Sequence, residues 1–490
     1  MSLLVVAAAI LAGLSLAAAA GLAARWVALG CAAAATMLGA AALLALAGDG
    51  LAPTTLPLGP PWAAGVVALD ALSAWFLLVV ALAAGPACLF AAQSRLGRMQ
   101  SAALPVFLGG MALALLAADA FTLILGFEAM SLASWAMIAA GGERRAARLY
   151  LGFALLSGLG LLGAFALLAQ GGLHFASIRA APPEGWRAGM VLALLILGAG
   201  SKAGLAPFHL WLPVAHPAAP TAASALMSAA MVKVALYVLM RGLLDLAGPA
   251  QPAWWGVPLL ALGAATALIG GIRANLERDL KAILACSTLE NVGLIAVGIG
   301  LVLIFRGTDL RPLAALALGF VLLHALVHAA FKTLLFLGAG AAAQLAGSRD
   351  PDRLGGLIHR MPLVAACMAL GAASAAALPP LAGFSSEWLL LQALVQAWRV
   401  ADMPLQLLGA GSKAGLAPFH LWLPVAHPAA PTAASALMSA AMVKVALYVL
   451  MRGLLDLAGP AQPAWWGVPL LALGAATALI GGIRANLERD

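Results

Sequence analysis

The chain has 490 residues, of which 64% are hydrophobic and 9% charged, whereas a soluble domain carries about 25% charged residues. So little polar surface cannot cover a water-soluble globule of this size, which excludes that class. The formal net charge of +8 falls in short segments between apolar runs and is read loop by loop, not as a nucleic-acid-binding face.

A hydrocarbon core about 30 Å thick takes roughly 20 apolar residues per crossing helix. Such stretches lie near 2–22, 26–47, 71–92, 102–118, 120–140, 148–170, 188–207, 222–246, 254–274, 282–304, 312–342 and 363–400. The expectation is an all-α polytopic membrane protein, since a β-barrel would show short alternating strands. The first run has no basic residues ahead of it and more spans behind it, so it reads as a span and not as a cleaved signal peptide. Basic residues divide unevenly. One set of loops holds Arg25, Arg95, Arg98, Arg144, Arg145, Arg148, Arg273, Arg278, Lys281, Arg349, Arg353 and Arg360. The opposite set holds Arg179, Arg187, Arg241, Arg306, Arg311 and Arg399. The richer side is expected in the cytoplasm, with the N-terminus outside the cytoplasmic (inner) membrane.

Cys31, Cys88, Cys286 and Cys367 are far apart and form no C-x-x-C, so neither a zinc site nor an iron–sulfur cluster is expected. No glycine-rich phosphate loop appears. No cofactor and no metal are expected in this chain.

Ionisable groups at membrane depth are costly and mark ion or proton routes. In chain order the candidates are Glu128, Lys202, Lys233, the series His324, His328 and Lys332, and Glu387. Blander roles compete. A lysine near a helix end can snorkel to the interface, a reading open for Lys202 and Lys281. Lys233 lies about ten residues inside its span, which disfavours that reading. Glu128 can serve as a structural partner of a lysine. His324, His328 and Lys332 stand at i, i+4 and i+8, hence on one helical face. Metal binding by the histidine pair competes there, but no third acidic ligand accompanies it. Glu, Lys and His poised between desolvation and pairing can relay protons laterally.

Two spans are broken. Gly204 and Pro207 follow Lys202, with Pro213, Pro217 and Pro220 beyond; Pro379, Pro380 and Gly383 precede Glu387. Broken helices in two halves of a transporter point to its ion path.

Residues 197–279 and 408–490 are the same 83 residues. Complete identity implies a recent copying event, in the gene or in the assembly of its sequence. Lys413 and Lys444 are the copies of Lys202 and Lys233. No copy of Glu128 accompanies them, so the duplicate is expected to pack at the edge, away from the string of intramembrane charges.

GFEAMSLASW, HALVHAAFKTLLFLGAG and LPPLAGFSSEW resemble the antiporter-like proton-translocating subunits of respiratory complex I, Mrp antiporters and membrane-bound hydrogenases, over about 65–400. GSKAGLAPFHLWLPVAHPAAPTAASALMS, LERDLKAILACSTLENVG and RDPDRLGGLIHRMP are similar in particular to the hydrogenase-4 and formate hydrogenlyase branch. The resemblance implies fourteen transmembrane helices, with two inverted five-helix bundles containing discontinuous helices; with the spans of the duplicate, about fourteen to fifteen are expected in this chain. On that plan 1–100 holds the first three helices, 101–246 the first bundle and 247–400 an incomplete second bundle, followed by the duplicate at 408–490. It also implies roles: Glu128 with Lys202 as first-half pair, Lys233 as shuttle, Lys332 as link and Glu387 as second-half exit. His209, His216, His324 and His328 fall at or beside the family's polar positions. After Glu387 the family has two further helices where this sequence has the duplicate, so the second bundle is expected to be altered.

The expected function is proton conduction coupled to electron transfer in a hydrogenase- or NADH:quinone oxidoreductase-like complex. Other membrane subunits and a peripheral arm would be partners, and no redox centre would reside in this chain. Two alternatives stand: an Mrp-type sodium/proton antiporter subunit, and a non-conducting scaffold for a hydrogenase arm.

Overall fold

The computed structural model describes residues 2–48 and 50–396, together with Leu471 and Ala475. The duplicate at 408–490, with Lys413 and Lys444, lies outside the described residues but for those two positions.

The chain is helical, as its composition required. Helices α1 (Ser2–Ala19) and α2 (Ala24–Ala47) lead to a short antiparallel hairpin, β1 (Leu51–Leu56) and β2 (Gly65–Leu69). Then come α3 (Ala71–Ala91), α4 (Arg98–Leu116), α5 (Ala120–Ala139), α6 (Arg144–Leu168) and the short α7 (Phe175–Ala180). The broken segment α8 (Gly185–Ala218) and the spans α9 (Thr221–Leu246) and α10 (Ala253–Leu276) follow. After these run α11 (Leu280–Gly307), α12 (Arg311–Ala346), α13 (Pro362–Ala375) and α14 (Ala382–Val395). Among the described residues ten helices are long and apolar enough to cross a membrane, and α1 and α13 are shorter apolar helices.

The hairpin is absent from the sequence expectation. Thr54 pairs with Val67 and Leu56 with Gly65. It is fastened by Asp119, whose one carboxylate oxygen accepts the Val66 amide at 2.6 Å while the other caps α5 through Thr122 at 2.8 Å. Asp70 and Asp279 cap α3 and α11 in the same way. A side-chain acceptor satisfies amides that a helix start leaves open.

Helices in lipid associate through close packing, not through a hydrophobic difference from their solvent. Small residues serve that end here. A methyl on Gly110 would come 2.5 Å from the Met130 amide of α5, and one on Gly126 would come 2.5 Å from the Ala114 amide of α4. The centre of the structure is α9, whose apolar window is entirely buried.

Three expectations need correction. The stretch near 363–400 is not one span: α13 ends at Ala375 and α14 begins at Ala382, across the Pro379–Pro380 break. Arg241 and Arg306 are not loop residues but lie in α9 and α11. Lys281 does not extend to solvent. It is buried, and its ammonium donates to the Ala219 carbonyl at 2.9 Å.

Candidate functional site: a buried polar axis

Lys202 sits where α8 breaks. A π-helical turn at Ile196–Gly200 leads into it, and Gly204 then turns the chain with φ of 90°. The freed groups are satisfied, as lipid demands. Ser157 donates to the Gly198 carbonyl at 2.6 Å, Thr266 accepts the Ala206 amide at 2.8 Å, and Trp211 donates to the Ser201 carbonyl at 3.0 Å. The break thus projects Lys202 into protein. Its ammonium donates to the Tyr150 hydroxyl at 2.7 Å and lies 4.4 Å from the centre of that ring. Tyr150 in turn meets Ser134 at 2.5 Å and donates to the Met231 sulfur at 3.4 Å.

Glu128 was expected to pair with Lys202. The structure forms no salt bridge between them. Tyr150 takes the lysine, and the buried Oε1 of Glu128 has no hydrogen-bond partner. That oxygen lies against Gly158 of α6, where a methyl would approach it to 2.7 Å. The two charges still interact electrostatically. Tyrosine solves a packing problem that a direct ion pair does not: its ring covers the ammonium while its hydroxyl accepts.

Lys233 lies mid-span in α9, fully buried. A second π-helical turn, Met227–Met231, precedes it, and such turns release a carbonyl from the helical ladder. The ammonium donates to the Ser228 carbonyl at 3.0 Å and meets Nδ1 of His328 on α12. Ser228 and Thr288 share a hydrogen bond of 2.7 Å.

The series on α12 shares one face as its spacing required. His324 lies 3.0 Å from Asn291 and 2.9 Å from Ser386. The rings of His324 and His328 are 6.2 Å apart. Nε2 of His328 has no hydrogen-bond partner. Lys332 donates to the Leu284 carbonyl at 3.1 Å and to the Ser287 hydroxyl. Glu387 follows Ser386 on α14 and is half-buried. His216 is buried with neither ring nitrogen hydrogen-bonded, stacked on Phe336 at 5.1 Å. His209 is buried near the break with its Nδ1 unbonded.

The sequence residues therefore assemble into two clusters. One joins Glu128, Tyr150 and Lys202; the other joins Lys233, His328, His324 and Lys332. Met231, two residues before Lys233, stands between them, and its thioether, a weak acceptor with no proton to give, cannot relay one. Among the described residues no three His, Cys, Asp or Glu side chains converge as a metal site would require. Sequence reasoning missed Tyr150, Ser134, Ser228, Asn291 and Ser386. Tyr150 left one signal: the sequence has only 3 tyrosines, and this one falls in an apolar span.

Comparison with known proteins places this arrangement in a family. The family described as NADH:quinone oxidoreductase/Mrp antiporter, transmembrane, matches residues 117–403 and 400–490. The chain is 38% identical over 353 residues to hydrogenase-4 component B of Escherichia coli, covering 70% of this chain and 52% of that protein. It is 34% identical over 354 residues to NADH-quinone oxidoreductase subunit N of Desulforudis audaxviator, covering 69% and 68%. It spans about half the length of hydrogenase-4 component B and of two uncharacterized Mycobacterium tuberculosis proteins to which it is 41% identical over 342 residues. Among solved structures, a chain of respiratory complex I from Thermus thermophilus superposes with a TM-score of 0.71 at 26% identity, covering 96% of this chain and 94% of that one. A chain of the Mrp complex from Dietzia shares the fold, with a TM-score of 0.70 at 24% identity and coverage of 94% and 82%. The chain is a multi-pass membrane protein and belongs to the NADH:quinone oxidoreductase/Mrp antiporter transmembrane family.

Proposed function

We propose that this chain conducts protons along its buried polar axis as a membrane subunit of a hydrogenase-type or NADH:quinone oxidoreductase-like complex. The observation that carries the reading is the contact between Lys233 and His328, two titratable side chains on different helices, both wholly buried. Charges are rarely placed there unless the ion path uses them. Hydrogenase-4 component B and NADH-quinone oxidoreductase subunit N are relatives by sequence, which supports assembly with other membrane subunits and a peripheral redox arm. Electron transfer would take place in those partners, and this chain would hold no redox cofactor of its own.

Within this reading Lys233 is the shuttle. It can pass a proton to Nδ1 of a neutral His328 and be recharged from the Lys202 side. Tyr150 tethers Lys202 beside Glu128, and water carries protons past Met231. His324 and Lys332 extend the axis along α12, and Glu387 ends it on α14; His209 and His216 line its flank. The segments 1–100, 101–246 and 247–400 act as leading helices, first bundle and second bundle. The membrane is the bacterial inner membrane, with the arginine-rich loops in the cytoplasm and the N-terminus outside.

A second reading, an Mrp-type cation/proton antiporter subunit, is favoured by 38% identity over 209 residues to a Na(+)/H(+) antiporter component of Alkalihalophilus pseudofirmus.

The test is proton uptake in vesicles driven by the assembled complex. Lys233→Ala should nearly abolish uptake with membrane insertion intact. Lys233→Arg should fail too, because guanidinium does not deprotonate in proteins. Wild-type uptake in the arginine variant would sink the shuttle role and leave a scaffold. Uptake that requires sodium would favour the antiporter reading.

A further inference from the structure

A second charged cluster lies on the face of the molecule that carries the hairpin, and the polar axis does not use it. Tyr237 and Arg241 follow Lys233 on α9 at successive helical turns, about 6 and 12 Å further along. The Tyr237 hydroxyl is buried, 2.9 Å from the Ser73 hydroxyl of α3. Ser73 in turn gives its amide to Asp70 at 2.8 Å. The Asp70 side chain is 47% exposed. The Tyr237 and Ser73 hydroxyls and the Asp70 carboxylate thus stand in line from one helical turn beyond Lys233 to solvent.

Arg241 interrupts that series. Its guanidinium donates to the Tyr237 hydroxyl through Nε at 3.2 Å and Nη2 at 3.1 Å, and to Ser73 at 3.0 Å. A hydroxyl has two acceptor lone pairs and one proton to give. Both acceptor positions of Tyr237 are taken by a group that never deprotonates. Its own proton also lies within reach of the Leu115 carbonyl at 3.2 Å, which cannot pass a proton on. Arg241 is held in place by Asp70 and Asp245, each at 2.7 Å, and Asp245 is held by Arg179 at 2.7 Å. The carboxylates sit towards solvent, so a proton leaving Lys233 in this direction meets the cation first.

We infer that Arg241 is the insulator of the hairpin-side end of the axis, blocking the hydroxyl path from Lys233 through Tyr237 and Ser73 to Asp70 and so directing protons sideways to His328. This rests on the proton-conducting reading but adds a residue and a direction to it. The structure gives Arg241 no contact with Lys233, so it acts by closing a route and not by carrying protons.

The purified full chain in vesicles, under an imposed potassium diffusion potential with a pH dye inside, reports passive proton flux without any redox partner. Arg241→Gln should raise that flux about tenfold or more, as expected on removing a fixed charge a few ångströms from the path. Adding Tyr237→Phe should return it to the wild-type level, because the phenylalanine cannot relay. Should the single variant fold poorly, Asp245→Asn with Arg241→Gln keeps the net charge of the cluster unchanged, leaves Asp70 in place and carries the same expectation. A tight Arg241→Gln variant, or a leak that survives Tyr237→Phe, overturns the insulator. If Lys233→Ala still abolishes driven uptake in that case, the proton-conducting reading stands without it; if driven uptake survives Lys233→Ala, both fall.

Discussion

Lys233 on α9 and His328 on α12 meet nitrogen to nitrogen across 95 residues of sequence, with both side chains fully buried. One of the two must be neutral for the hydrogen bond to exist, so the contact is a place where one proton has two owners.

His328→Leu removes one of two hydrogen-bond acceptors of the Lys233 ammonium and leaves only the Ser228 carbonyl. Losing an acceptor for a buried charged donor costs about 1–3 kcal/mol. Driven proton uptake should fall to near background with assembly retained, and thermal unfolding in detergent should show the lower midpoint. Uptake at the wild-type rate would remove His328 from the path.

Tyr150→Phe takes away the hydroxyl that Lys202 donates to and leaves a buried ammonium under the ring without that acceptor. We expect destabilisation of about 1–3 kcal/mol, larger than in Tyr150→Phe with Lys202→Met, where no charge remains to be solvated. Glu128→Gln should interact weakly with Lys202→Met, because no direct ion pair joins them. Unfolding midpoints of the three single and two double variants measure both couplings. Strict additivity for the tyrosine–lysine pair would refute the tether.

Gly158→Ala places a methyl 2.7 Å from Oε1 of Glu128. The carboxylate is the free end of a flexible side chain and should move, so the fold should hold within about 1–3 kcal/mol. Its position relative to Lys202 should not hold. Driven uptake is expected to drop more than the unfolding midpoint would suggest, and unchanged uptake would show that the site of Glu128 is not critical.

Asp70 lies just before α3. Burial alone pushes its carboxyl up, but the hydrogen bond and charge of Arg241, with the donors of Ser73, outweigh it and hold the group below the usual carboxylate range. The folded state therefore binds this proton more weakly than the unfolded chain. The α3–α9 link contributes fully above the ordinary carboxylate range and is lost as pH falls through the lowered value. The difference in melting midpoint between wild type and Asp70→Asn should be constant near neutrality and shrink in acid. A gap that widens in acid would contradict the assignment.

The spans were legible because twenty apolar residues in a row leave few alternatives, and the three-residue series on α12 was legible because helical periodicity is arithmetic. The breaks were legible from Gly204, Pro207, Pro379 and Pro380. What was not legible is who touches whom. Nothing in the local sequence of Tyr150 or Glu128 says that the tyrosine would take Lys202 and leave Glu128 beside Gly158. Arg241 read as a loop residue because a lone arginine near the end of a span looks the same whether it faces water or Asp70. The hairpin escaped because its strands are short and lack clean alternation, and because its anchor, Asp119, lies 53 residues away from Val66.

The full burial of the apolar window of α9 has a consequence for how the bilayer can act on this protein. A span whose apolar window is buried in protein is shielded from acyl-chain length and lateral pressure over that window. Thickness mismatch is absorbed by tilting or local bilayer deformation at the lipid-facing helices, and it reaches Lys233 only after they have yielded. The geometry around Lys233 is thus set by its protein neighbours, and reconstitution in thinner or thicker bilayers should alter assembly well before it alters the contact with His328.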